Sequence, residues 1–135
     1  MIALQPPNLR HAEPQAWMDH ARSNLALASK RAPAVRLGDL CFNAQQAVEK
    51  ALKGLLVSRK MQIPMTHDLS HLLTLLEDTG LQVPTHVFDA LALSPYAVAA
   101  RYPGTVIRGP SVSVDDYESA IEIAARVVEW AESVL

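Results

Sequence analysis

An all-α fold, an up-and-down bundle of four or five helices, is what this sequence predicts, and three observations predict it. Apolar residues recur at three- and four-residue spacing along most of the chain. No segment alternates apolar and polar with a period of two, so no sheet is expected. Pro or Gly falls at most breaks between the periodic segments, and the links are short, which makes successive helices antiparallel neighbours. The 135 residues, half of them hydrophobic with only 5 Gly, are expected to form one domain over 1–135. That domain has enough apolar side chain for a core and some left for a subunit interface.

Residues 1–13 read as a loose arm. Pro14 suits a first helical position, and Trp17, Ala21, Leu25 and Ala28 then share one face until Pro33. A second helix runs from Leu37 to about Lys60 on a stripe of Leu37, Leu40, Cys41, Ala44, Val48, Ala51, Leu52 and Leu55, and is the backbone of the fold. Pro64 lies in the next link and Thr66 is the expected N-cap of a third helix. Leu69, Leu72, Leu73 and Leu76 form its buried side, and Gly80 stops it. Thr85 opens a fourth helix with Val87, Phe88 and Leu91 inward. Pro95 is expected to interrupt it, with Ser94 as N-cap restarting a short helix through Arg101. Residues 102–112 read as a loop. Ser113 and Asp116 approximate a capping box for a last helix that buries Tyr117, Ala120, Ile121, Ala124, Val127 or Val128, Ala131 and Val134.

A net charge of −2 argues against indiscriminate nucleic-acid binding, but the charge is uneven. Six acids between Asp115 and Glu132 face only Arg126. The stretch 36–60 carries Arg36, Lys50, Lys53, Arg59 and Lys60 against Asp39 and Glu49, so one face is locally positive. The single Cys41 excludes an internal disulfide and reads as a small buried hydrophobe. Pro6, Pro7 and Asn8 stand where an export signal needs an apolar run, and no stretch approaches the ~20 apolar residues of a membrane span. A cytoplasmic, soluble protein is expected.

Strict alternation of helix direction would gather the end of the second helix near Lys60, the start of the third near His67, the end of the fourth near Arg101 and the start of the fifth near Ser113. Lys53, His67, Arg101 and Tyr102 would then share one neighbourhood, with Arg59, Lys60 and Arg108 at its rim. Cations beside open helix N-termini suit a phosphate. Gln46, Lys50 and Lys53 stand at i, i+4 and i+7 on one side of the second helix. Two roles are open to them: a solvated face with an internal Glu49–Lys53 pair, or a polar stripe reaching a ligand or partner. His67 either bonds the loop backbone or faces the ligand. Arg101 either caps the last carbonyls of its helix or captures phosphate as a bidentate fork, and Tyr102 either stacks on a base or packs under the loop. His67 and His71 stand at i, i+4, but no third metal ligand is identifiable. Neither a metal nor a cofactor is expected.

Three segments carry a resemblance. The helical run from Cys41 to Leu56 contains Gln45-Gln46 and Glu49-Lys50, Thr66-His67-Asp68-Leu69 comes after it, and Ala100-Arg101-Tyr102-Pro103 stands about thirty residues later. In that order they resemble the HEPN family (higher eukaryotes and prokaryotes nucleotide-binding domain), in its stand-alone prokaryotic form, over nearly the whole chain. The resemblance implies a homodimeric helical bundle that binds a nucleotide or RNA phosphate, or presents itself to a small nucleotidyltransferase, with Gln46, Lys50, Lys53, His67, Arg101 and Tyr102 as ligand-binding candidates. Members that cleave RNA carry an Arg, four to six residues, then a His. That motif is absent here, and Arg59 with His67 comes nearest at seven intervening residues. The resemblance therefore points to a non-catalytic member. The alternatives are a divergent ribonuclease toxin of a toxin–antitoxin pair acting through His67 and Arg101, and a plain interaction scaffold.

Overall fold

The computed structural model describes residues 12–101 and 112–135, with the side chains of 99–101 outside that description. The expected arm at 1–13 falls almost wholly outside the described residues, as do the side chain of Arg101, all of Tyr102, and Arg108. Among the described residues the chain is helical and contains no strand: α1 (Pro14–Ala28), α2 (Leu37–Ser58), α3 (Leu69–Asp78), a 3₁₀ helix (Thr85–Leu93), α4 (Ser94–Arg101) and α5 (Val114–Val134). This is the all-α bundle the periodicity calls for.

The core forms around α2, a helix of 22 residues and about 33 Å. Its apolar row from Leu40 to Leu56 is buried against Trp17, Met18, Ala21 and Ala28 of α1, Leu69, Leu72, Leu73 and Leu76 of α3, and Ala120, Ala124, Val127, Val128 and Ala131 of α5. Cys41 is fully buried, and burial pushes its thiol up to about 11 despite a hydrogen bond with Tyr96, so it packs as an inert small hydrophobe. α1 and α2 approach closely at Gly54, where a Cβ would stand 2.9 Å from Trp17 Cβ. At the other end of α1, Tyr117 of α5 donates its hydroxyl to the Ala28 carbonyl at 2.7 Å, and Arg31 stacks over the Tyr117 ring at 5.7 Å. Arg22 of α1 pairs with Asp19 and with Glu132 of α5.

Several local details depart from the sequence-based expectation. Asp68, not Thr66, caps α3: its carboxylate accepts from Ser70 N at 3.0 Å, while Thr66 Oγ1 accepts from Asp68 N at 3.1 Å. The Asp side chain one residue before the helix reaches the open N–H groups better than a Thr two residues further out. The fourth segment is 3₁₀ rather than α, so its buried side is Val87, Ala90 and Leu93, a strict three-residue repeat, and Leu91 is exposed. Ser94 has helical dihedrals and caps nothing. The chain changes helix type at Ser94 instead of breaking, which leaves Pro95 in the first turn of α4, where its missing N–H is not needed. Ile121 is only half-buried and Val134 is exposed. Pro14 at the start of α1, Gly80 with a positive φ of 91° after α3, and the Ser113–Asp116 capping box all stand as expected.

One change of direction matters for function. His67, just before α3, sits against Glu49 in the middle of α2, while Thr79, just after α3, bonds Arg59 at the end of α2. α3 therefore runs in the same sense as α2. Residues 60–68 double back along α2 over about 15 Å, the rise of the ten residues from 49 to 59. Nine extended residues span that easily. The added pass reverses the direction expected of the later elements, so α5 begins beside the start of α2, with Val112 next to Gly38, and not beside Lys60. Arg59 and Lys60 are consequently far from His67 and do not form a rim around it. Lys60 instead closes α2 in the left-handed region, φ 62°, with Met61 N donating to Leu56 O at 2.9 Å.

Candidate functional site

Five polar positions of α2 are buried: Gln45 is 0% exposed, Gln46 1%, Glu49 0%, Lys50 6% and Lys53 1%. The solvated face allowed by the sequence is not what forms. A helix with apolar residues on every other side has no outward face left for this stripe, because α1 covers one flank and the 60–68 link returns over another.

Glu49 is the hub. Its carboxylate accepts from Lys53 Nζ at 3.0 Å, Gln45 Nε2 at 3.2 Å and Gln46 Nε2 at 3.4 Å. His67 Nδ1 lies 3.0 Å from both of its oxygens. Burial by itself drives a carboxyl upward. Here the hydrogen bond from His67 and the adjacent Lys53 charge outweigh it and hold Glu49 down at about 2, so it is a carboxylate at any physiological pH.

A second polar row faces α1. Lys50 Nζ donates to Asn24 Oδ1 at 2.8 Å, Asn24 Nδ2 donates to Asn43 Oδ1 at 3.0 Å, and Asn43 Nδ2 donates to the Asp39 carbonyl at 3.2 Å. Burial pushes the Lys50 ammonium below its ordinary range, opposed by Glu49 and reinforced by Lys53. Gln46 Nε2 also donates to Gln45 Oε1 at 2.7 Å, which leaves Gln46 Oε1 buried without a partner. The five stripe residues thus carry one carboxylate against two ammoniums. The cluster meets solvent at His67, whose side chain keeps 29% exposure.

Of the six sequence candidates, the structure brings Gln46, Lys50, Lys53 and His67 together. Arg101 and Tyr102 fall outside the described side chains. Sequence reasoning treats Glu49 only as a partner for Lys53 and misses it as the centre, and it passes over Gln45, Asn24 and Asn43. The available signal is an uninterrupted polar pair, Gln45-Gln46, inside an otherwise apolar stripe, which marks buried amides with nothing but one another and Glu49 to bond. His71 is exposed on α3, and among the described residues no three potential ligands gather to hold a metal. A separate depression of about 520 Å³ between the 3₁₀ helix and α5 is lined by Arg126 and His86 together with the carboxylates Asp89 and Glu122, so it is no basic site for a phosphate. Among the described residues no helix is long and apolar enough to cross a membrane.

The HEPN domain profile matches residues 14–134, from the first residue of α1 to the last of α5. The chain belongs to the HEPN domain family. Two crystal structures are similar to this chain in fold. TT1696 from Thermus thermophilus is 28% identical with a TM-score of 0.74, over 90% of this chain and 98% of that one. ST0689, an archaeal HEPN homologue, is 25% identical with a TM-score of 0.69, over 90% and 97%. No curated protein matches this HEPN chain significantly.

Proposed function

We propose that this HEPN protein is a non-catalytic binder of nucleotide or RNA phosphate, working as a cytoplasmic homodimer alongside a small nucleotidyltransferase. The observation that carries the reading is the charge of the α2 stripe. Among the described residues Lys50, 6% exposed, hydrogen-bonds only the neutral Asn24 amide, so its buried ammonium has no direct carboxylate partner there. A desolvated cation of this kind is costly, and a bound phosphate at the His67 opening supplies a balancing anion. Arg101 and Tyr102 are the further ligand-binding candidates, on family resemblance alone. The test is calorimetric titration with ATP at two salt concentrations. Binding that weakens as salt rises supports the reading, and heat no greater than dilution at millimolar ATP refutes it. Dimerisation is tested by light scattering at tens of micromolar, where a monomer mass counts against it, and the partner by co-purification with the nucleotidyltransferase.

A second reading, a divergent ribonuclease, is favoured by one observation: a buried carboxylate orients His67 through Nδ1, as in bases that abstract protons. Arg59 does not assist it, because that guanidinium is committed to Thr79 at the far end of α2. RNA cleavage that disappears in His67→Ala would select this reading over the first.

A further inference from the structure

The Glu49–His67 contact restricts what His67 can recognise. Glu49 is an ionised carboxylate and can only accept hydrogen bonds. Its two oxygens each lie 3.0 Å from His67 Nδ1, so Nδ1 must carry the hydrogen. In the neutral ring the other nitrogen, Nε2, is then an acceptor with no donor capacity. Glu49 itself is fully buried while His67 keeps 29% exposure, so the exposed part of the ring is the edge away from Glu49. Among the described residues Nε2 makes no hydrogen bond. A phosphate oxygen, itself an acceptor, cannot satisfy it, whereas an O–H group can. The anion-attracting groups are immediate neighbours, because Lys53 Nζ shares Glu49 with the ring, 3.0 Å from Oε2. The fitting ligand therefore carries a hydroxyl donor and a phosphate in one molecule.

We infer that His67 reads a ribose hydroxyl through Nε2, held as an acceptor by Glu49 as the positioning residue, so that the site selects ribonucleotides over analogues lacking the 2′-hydroxyl. This rests on the nucleotide-binding reading above and deepens it. The shared chemistry is a ribose 2′-hydroxyl in a molecule that also carries phosphate, whether a free nucleotide or RNA.

The experiment compares ATP with 2′-fluoro-ATP, and hexa-adenylate RNA with its 2′-fluoro counterpart, by calorimetry and fluorescence anisotropy at pH 8. Fluorine keeps the sugar pucker and removes the donor. The hydroxyl form of whichever ligand class binds should be tighter by roughly three- to tenfold, the worth of one hydrogen bond. His67→Ala should bring the ratio to about one, and His67→Gln, which keeps an acceptor, should restore part of it. Glu49→Gln should also flatten the ratio. If that variant does not fold, the two His67 variants decide, because their side chain is partly exposed. Equal affinity for both sugars in the wild type overturns the inference and leaves phosphate binding intact, as does a ratio unchanged in His67→Ala. No binding of any of the four probes overturns the proposed function itself.

Discussion

Neutralising Glu49 is the perturbation with the largest calculable effect. Its carboxyl falls from an ordinary 4.5 to about 2 in the folded protein, and at 1.36 kcal/mol per pH unit that difference amounts to about 3 kcal/mol of stability at pH 7. The sign comes from the depressed folded value. The contribution is complete above the unfolded pKa of 4.5 and is lost as pH falls from there through about 2. By pH 3 about 2 kcal/mol of it is gone. Glu49→Gln removes the charge at constant shape and takes the carboxylate away from the buried Lys53 and Lys50, so it should cost about 3–5 kcal/mol at pH 7. Urea unfolding of both proteins from pH 7 to pH 3 measures the difference and cancels the titration of every other carboxylate. The account predicts a difference that shrinks by about 2 kcal/mol on acidification. A cost below about 1 kcal/mol at pH 7, or one independent of pH, refutes the picture of an ionised hub held by His67 and Lys53.

Three further outcomes rest on particular contacts. Lys50→Met, matched in length and free of the desolvated ammonium, should raise stability by about 1 kcal/mol in thermal melts while weakening ATP binding. A loss of stability instead means that Asn24 satisfies the charge. Gly54→Ala should destabilise by about 2 kcal/mol despite the better helix propensity of Ala, because the new Cβ would lie 2.9 Å from Trp17 Cβ. Unchanged urea midpoints would show that α1 can shift freely. Lys60→Gly should stabilise by about 1 kcal/mol, since Lys60 holds φ 62° at the end of α2 where only Gly is unstrained. A melt lowered by that change would show that the Lys60 side chain contributes more than the strain costs.

The helices themselves are legible in the sequence because their signals are local. Pro14, the leucine row of α3, Gly80 and the Ser113–Asp116 box each act within one or two turns, and each stands where the sequence puts it. The 3₁₀ segment is not, because Val87, Ala90 and Leu93 satisfy a three-residue period that a short apolar run does not distinguish from 3.6. The direction of α3 is illegible for another reason: nothing in residues 60–68 says whether a nine-residue link turns at once or runs back along α2. That one long-range fact decides the site. It places His67 on Glu49 and not near Arg59, and it converts Gln46, Lys50 and Lys53 from an apparent surface face into a buried stripe. Burial of polar groups is a tertiary property, and the spacing i, i+4, i+7 is the same for a solvated face and for an interior one.

The claim that the α2 stripe is the ligand site is tested most directly by nuclear magnetic resonance of the isotopically labelled protein titrated with ATP, tracking the His67 imidazole nitrogens and the backbone amides. Saturable shifts at His67, Lys50 and Lys53 with one dissociation constant are the expected result. Shifts confined to the exposed Lys30, Arg31 and Arg36, with His67 unmoved at saturation, would contradict it.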